Sequence, residues 1–461
     1  MADIEVDYLV VGAGASGMAF VDALVGAAVD AEVLLVDRRH SPGGHWLDAY
    51  PFVRLHQPSA IYGVTSRRLG DDGVDKSGSN AGWYERATSA EIVGYFDKVL
   101  EETLRPAGVR FLGMVEHREG EAGTHTLTSL LTGEATTVRV RRRFVDATYT
   151  ESSIPSKHTP EFTIDDGATL IPPNGLVCLD VPASSYTVIG GGKTAMDTCG
   201  WLLDVGVDPS RIRWVRSRDG WFFNREFTQP LEQVGSFMQL QARWVASAAV
   251  AEDAHDFAHR LEANGVFLRI DPSAEPEMFR GATVSAQEVK ALHSIKDVVR
   301  RGRVRHVGVD RITFDDGELP TGPDHVYVDC TAAGVRPTVS RPIFQPGRIT
   351  IQYITLGFVT WSAATIGAIE AMKDDDETKN RLCPVVIFSG DVADILRFAN
   401  AGMQGLAARG ADRDIAAWTE ACRLNPSRDA AAHLDDPRVP DAFTVMGDNF
   451  FPALENLARL I

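Results

Sequence analysis

The stretch "TVIGGGKTAMDTCGWLL", residues 187–203, decides the fold. An apolar run, Thr187 to Ile189, enters three glycines, Gly190 to Gly192, and a helix-like segment follows. A strand that passes through glycines into a helix makes a phosphate cradle. The glycine backbone comes close to the ligand, and the first N–H groups of the helix have no acceptor of their own. The same design occurs earlier, at "YLVVGAGASGMAF", residues 8–20. Gly12, Gly14 and Gly17 there fit G-x-G-x-x-G, and Gly190, Gly192 and Ala195 fit G-x-G-x-x-A. Two cradles predict an α/β fold with two dinucleotide-binding, Rossmann-like domains.

The residues that follow each cradle differ, and the difference predicts two different ligands. In the first unit the next strand, "AEVLLVD", ends in Asp37, twenty positions after Gly17. A carboxylate there accepts hydrogen bonds from a ribose diol. In the second unit the corresponding strand runs into "VRSRDGWF", 215–222, with Arg216 and Arg218. A carboxylate would repel a 2′-phosphate, whereas arginine binds one through charge-assisted bonds. Lys193 adds positive charge in the turn, and Thr194 and Ser217 are placed to assist. The second cradle is therefore expected to hold NADPH.

Bulk properties narrow the function. The 461-residue chain carries a net charge of −17, which argues against nucleic acid or an anionic membrane as partner. The basic run "VRVRRRF", 138–144, alternates with Val138 and Val140 and reads as the charged face of a strand. The five cysteines are odd in number and contain no C-x-x-C, which excludes a zinc ribbon and a redox-active dithiol. No metal site is expected. The opening "MADIEVDYLVV" has no basic leader and no apolar run is long enough to span a bilayer, so a cytoplasmic protein is expected.

Along the chain, "TSAEIVGYFDKVLEETL", 88–104, reads as an amphipathic helix with Thr88 and Glu91 at capping-box spacing. A helical, loop-rich insertion is expected over 228–300, and a hairpin over 303–320 turning at Asp316-Gly317. Residues 1–170 read as the first segment of a dinucleotide-binding domain, 171–325 as the NADPH-binding domain inserted into it, and 326–461 as the second segment of the outer domain with C-terminal helices.

The run "DRRHSPGGHW", 37–46, goes straight from Asp37 to a glycine pair and a tryptophan. It resembles the flavoprotein pattern in which that pair passes the adenine-side phosphates, which implies FAD contacts for Arg38, Gly44, His45 and Trp46. "YPFVRLHQPSAIYG", 50–63, resembles the loop under the flavin ring in class B flavoprotein monooxygenases, the group of flavin-containing monooxygenases, N-hydroxylases and Baeyer–Villiger enzymes. "FVDATYT" and "VYVDCTAAG" resemble that family's two interdomain linkers, with Tyr149 and the pair Ala332-Ala333 departing from A-T-G.

The resemblance implies that NADPH reduces FAD, that O₂ then forms a C4a-peroxyflavin, and that a small organic substrate is oxygenated. It places Gln57 beside the ring as the catalytic amide, with His56 read as a packing residue. Trp221, Phe222, Phe223 and Phe279 would either wall the substrate site or form the core of the smaller domain. An acidic flavoprotein of this size is often a homodimer. The family fingerprint F-x-G-x-x-x-H is absent, because residues 161–180 hold no histidine. An NADPH-dependent flavin reductase or oxidase therefore stays open beside the monooxygenase, as does a non-catalytic nucleotide sensor.

Overall fold

A computed structural model describes residues 3–121, 123–322, 324–335, 338–386 and 389–461. Its first sheet grows from the strand Asp3–Val11, buried from Val6 to Val10. Val33–Val36 and Ala135–Asp146 flank that strand, both parallel to it, with Val10 opposite Leu35 and Val145. Arg110–Leu112 extends one edge and Arg348–Thr350 the other, again in parallel. A hairpin, Val115–Glu119 and Thr124–Ser129, continues Ala135–Asp146. That long strand carries "VRVRRRF". Val138 is buried while Arg139, Arg141 and Arg142 reach solvent, where Arg141 pairs with Asp7 at 3.0 Å.

The helix Ala15–Gly26 leaves the first cradle and is buried along most of its length. It can be so apolar because the helix Val359–Met372 covers its other side. The two approach closely enough that a methyl at Gly367 would stand 2.5 Å from the Phe20 carbonyl oxygen. The helix Ser89–Val99 begins with the expected capping box, with Thr88 and Glu91 bonding each other's backbone. It ends in a π turn at Leu100–Leu104.

The second sheet is wholly parallel: Asp297–Val299, Ile212–Val215, Ser185–Ile189, His325–Asp329 and Thr169–Ile171, in that spatial order. The helix Lys193–Asp204 follows its central strand. The expected divisions at 170/171 and 325/326 thus fall inside two strands of this sheet. Sheet membership puts the crossings before Thr169 and after Asp329.

The insertion is more strand-rich than expected. Besides the helices Val234–Val250 and Ala254–Ala263, it contributes Phe267–Arg269 and Met278–Val284 to a three-stranded sheet built on Gly220–Asn224 just before it. The expected hairpin is a meander of three strands, Val304–Val307, Arg311–Phe314 and Gly317–Pro320, and it turns at Gly317 with φ +83°. The C-terminal helix Arg438–Leu460 lies against Val234–Val250. Among the described residues, no helix is long and apolar enough to cross a membrane.

Candidate active site

Both cradles line one cavity of about 650 Å³. Each sits at the carboxyl end of a central parallel strand, where the strand order of an open α/β sheet leaves a crevice. The first cradle contributes Gly12 and Gly14 to the wall, with Asp37, Gly44, His45 and Trp46 beside them. Gly17 lies behind, where a β-carbon would stand 1.8 Å from the Gly12 carbonyl oxygen, so its role is close helix–strand packing. Asp37 is buried and accepts the N–H groups of Ala13 at 2.7 Å and Arg39 at 2.8 Å. Its carboxylate therefore holds the glycine turn in shape as well as facing the cavity.

The glycine pair reaches the first cradle directly. Gly43 donates its N–H to the Ala13 carbonyl at 2.9 Å. Gly44 has φ +58°, and a β-carbon there would lie 2.8 Å from the Gly14 α-carbon. Only glycine meets both demands. Trp46 follows and donates from Nε1 to the Tyr62 hydroxyl at 2.8 Å, which fixes the indole in the wall. His45 stays neutral, because burial and then the Arg39 charge push its pKa down to about 4. Arg38 points to solvent and does not line the cavity. Its neighbour Arg39 does, held by Asp48 at 3.1 Å.

In the second cradle, Gly190, Gly192, Lys193 and Thr194 line the cavity and Ala195 is buried behind it. A β-carbon on Gly192 would meet no atom within 4 Å, so this glycine keeps open space on the ligand side. Two expectations need correction here. Lys193 does not present a free charge to a pyrophosphate: its ammonium is paired with Asp197, one helical turn on, and lies 3.7 Å from Glu288. Arg216 is buried at 3% exposure, ion-paired with Asp219, and sits 4.8 Å over the Trp214 ring. Its guanidinium belongs to the core of the second domain, held there by Asp219 and the Trp214 ring. Arg218 and Ser217 do line the cavity. Among the described residues, Arg218 makes no hydrogen bond or ion pair.

Between the cradles runs residues 50–57. Hydrogen bonds pin this loop along its length. Arg54 donates to the Arg86 carbonyl, Leu55 N–H to the Ala87 carbonyl, and Arg86 to the Leu55 carbonyl. The Thr283 hydroxyl donates to the His56 carbonyl at 2.7 Å, and Gln57 Nε2 to the Ile61 carbonyl at 3.2 Å. With one Gln57 N–H engaged, the second N–H and the amide oxygen are left to meet a ligand. His56 also lines the cavity and its ring makes no hydrogen bond among the described residues. Burial, then Lys193, hold its pKa at about 4, so the ring is neutral near pH 7. This is more exposed to ligand than the packing role expected of it.

Behind that loop lies a charge cluster that the spacing of these residues in sequence does not reveal. Arg225 is fully buried and donates to Glu288 at 2.7 Å; Arg86 lies 3.9 Å from the same carboxylate. Burial pushes the Glu288 carboxyl up, but Lys193, Arg225 and Arg86 together override it and hold the group ionised. Tyr50 donates its hydroxyl to Asp197 at 2.9 Å, so a first-domain cavity residue is tied to the helix of the second cradle. The linkers are tied to one another as well, by the Ser153 N–H on the Gly334 carbonyl at 2.8 Å and by His158 on the Thr331 hydroxyl at 3.1 Å.

The aromatic residues of the insertion take the second of their two expected roles. Trp221 and Phe279 are core residues, Phe222 and Phe223 pack in or against the same cores, and none lines the cavity. Among the described residues, no group of three or more His, Cys, Asp or Glu side chains could hold a metal ion.

The family description "NAD(P)-binding Rossmann-like domain" matches residues 10–59, which hold the first cradle and the loop to Gln57. The chain is 39% identical over 446 residues to the "Uncharacterized protein Rv2000" of Mycobacterium tuberculosis, covering 96% of this chain and 82% of that one. Among solved structures it is similar to the polycyclic ketone monooxygenase of the fungus Thermothelomyces thermophila, with a TM-score of 0.54 at 12% identity over 92% of this chain and 86% of that one. It is also similar to a cyclohexanone monooxygenase in an open state, with a TM-score of 0.50 at 14% identity over 97% and 98%. The chain belongs to the family of the mycobacterial protein, and its fold is that of the class B flavoprotein monooxygenases.

Proposed function

We propose that this protein is an FAD-dependent oxidoreductase that takes hydride from NADPH and uses O₂ to oxygenate a small organic substrate, by heteroatom hydroxylation or Baeyer–Villiger-type insertion. The observation that carries the reading is that two phosphate cradles, one ending in a carboxylate and one in a free arginine, open onto a single cavity. One cavity lets two dinucleotides meet, which hydride transfer requires.

The residues present fit both cofactors. Gly14 and Gly44 let two backbone segments close up in the cavity wall, the N-terminus of Ala15–Gly26 supplies free N–H groups, and Asp37 faces the ribose position. At the second cradle, Gly192 leaves open space and Arg218 is the cation free to meet a 2′-phosphate. The bound flavin supplies the redox chemistry and the reaction with oxygen. The chain's own residues orient and shield. Gln57 offers an amide oxygen to the reacting end, and Trp46 and Tyr62 close an apolar wall that excludes water. The neutral ring of His56 can donate or accept a hydrogen bond without adding a charge.

A second reading, a flavin reductase or oxidase without oxygen insertion, is favoured by one observation: the segment expected to carry the fingerprint histidine folds as the strand Thr169–Ile171 and the turn Pro173–Cys178 without one. The two are separated by reducing the FAD-loaded protein with NADPH without air and then mixing it with oxygenated buffer. A lag before the oxidised flavin spectrum returns, lengthened by NADP⁺, supports the oxygenase. Immediate return with stoichiometric peroxide supports the reductase or oxidase.

A further inference from the structure

The C-terminal helix Arg438–Leu460 buries one face, Val439, Ala442, Ala453 and Leu457, against Val234–Val250 and the helix Asp394–Ala411. The opposite face of such a helix is ordinarily polar. Here a second apolar stripe runs beside the buried one. Pro440, Phe443, Gly447, Phe451, Leu454 and Ala458 recur every three or four residues, which puts them on one side of the helix. Phe443 is 44% exposed and Phe451 76%. Pro440, Gly447 and Ala458 are exposed as well, and Leu454 is half-buried. No charged residue of the helix falls on this stripe, which runs for about 27 Å at 1.5 Å per residue. Single exposed apolar side chains are ordinary, but a contiguous stripe marks a contact surface.

The stripe alternates bulk and gap. Gly447 lies one turn from each phenylalanine, and a β-carbon there would meet nothing within 4 Å among the described residues. A second copy of the same helix, running antiparallel, complements that profile. With Phe451 of each copy over Gly447 of the other, Pro440 faces Ala458, and a two-fold axis makes every contact occur twice. Arg459 then faces position 439 of the other copy, two residues from Asp441. Asp441 and Arg459 are both exposed and share one flank of the stripe, so two pairs of opposite charge border the seam. Asp448, near the axis, meets its own counterpart and opposes the pairing. A lipid surface fits less well. The flank carries Asp441, Asp448 and Glu455 on a chain of net charge −17, whereas helices that lie on membranes are rich in Lys and Arg there.

We propose that this face joins two copies of the chain, antiparallel across a two-fold axis, with each Phe451 seated over the other copy's Gly447. The stripe lies outside the cavity that holds the two cradles, so the pairing stands apart from the reading of the chemistry.

The test is sedimentation velocity of the FAD-loaded protein over about 1–100 μM, with the denaturant unfolding midpoint of each variant as the folding control. The wild type is expected to shift from monomer to dimer within that range. Phe451→Glu should weaken the dimer at least about a hundredfold, because each dimer loses two aromatic anchors. Gly447→Leu adds apolar surface to the helix yet fills the gap, so it too should weaken the dimer about tenfold or more. Arg459→Asp should weaken it several-fold, and Asp441→Arg with Arg459→Asp in one chain should restore it. Asp448→Asn should tighten it. A wild type that stays monomeric throughout, whether or not it floats with vesicles of neutral phospholipid, overturns the proposal. A dimer that survives Phe451→Glu overturns it, since the pairing then lies elsewhere. Stronger association of Gly447→Leu overturns the seated geometry, because general apolar adhesion would gain from the added leucine.

Discussion

Arg216 and Arg218 stand two positions apart in sequence, and replacing each by alanine should produce opposite phenotypes. Arg218 lines the cavity and no carboxylate among the described residues holds it, so Arg218→Ala should leave the fold intact. A hydrogen bond to a charged group contributes about 1.5–3 kcal/mol. At about 1.4 kcal/mol per tenfold, the Michaelis constant for NADPH should rise at least about tenfold, with that for NADH nearly unchanged. Arg216 is buried against Trp214 and paired with Asp219. Breaking a buried pair from one side costs about 3–5 kcal/mol. Here Arg300 still holds Asp219 at 2.8 Å, so the loss should lie near the lower end, about 3 kcal/mol. Denaturant unfolding followed by tryptophan fluorescence, and steady-state NADPH and NADH oxidation, read the two effects separately. The reasoning is refuted if Arg216→Ala keeps wild-type stability and selectively loses NADPH, or if Arg218→Ala affects both nucleotides equally.

Three further outcomes follow from the same geometry. Glu288→Gln removes the carboxylate shared by Lys193, Arg225 and Arg86 and should cost about 3–5 kcal/mol of stability; adding Arg225→Met should return part of it, and urea unfolding of both variants decides. Tyr50→Phe removes the hydroxyl that ties the loop to Asp197 and should cost about 1.5–3 kcal/mol, with the flavin spectrum perturbed because the loop faces the cavity; unchanged stability would count against that tie. His45, His56 and His325 are each held near pKa 4, below the ordinary value of 6.5. Between those limits the unfolded chain binds more protons than the folded one, so stability should fall as pH drops from about 6.5 to 4 and be fully present above that window. A flat unfolding midpoint from pH 7 to 4.5 would contradict this.

Much of this architecture could be read in the sequence because it is written locally. The glycine spacing, the strand-ending Asp37 and the Thr88–Glu91 box each depend on neighbours within one turn or one βαβ unit. The site residues that escaped depend on register or on distant partners. Arg280 lines the cavity beside Met278 and Ala282 because of how Met278–Val284 pairs with Gly220–Asn224, which its neighbours in sequence do not announce. Lys193 looked like a phosphate ligand because its turn implies one; Glu288, 95 residues on, decides otherwise through a contact that only the fold creates. Arg216 failed for a simpler reason. The strand Ile212–Val215 ends before both arginines, so no alternation separates positions 216 and 218, and the contacts with Asp219 and Trp214 that hold Arg216 are set by the fold. The bulky residues at 221–223 and 279 read equally as pocket or core, since apolar surface serves either, and the three-stranded sheet that buries them was not visible as periodicity.

The most direct test of the account is anaerobic mixing of the FAD-loaded protein with NADPH, and separately with NADH, while the flavin absorbance is followed. Two cradles on one cavity, with the arginine end facing the second nucleotide, predict rapid bleaching by NADPH and much slower bleaching by NADH at the same concentration. A flavin that neither nucleotide bleaches, or that both bleach at one rate, would contradict it.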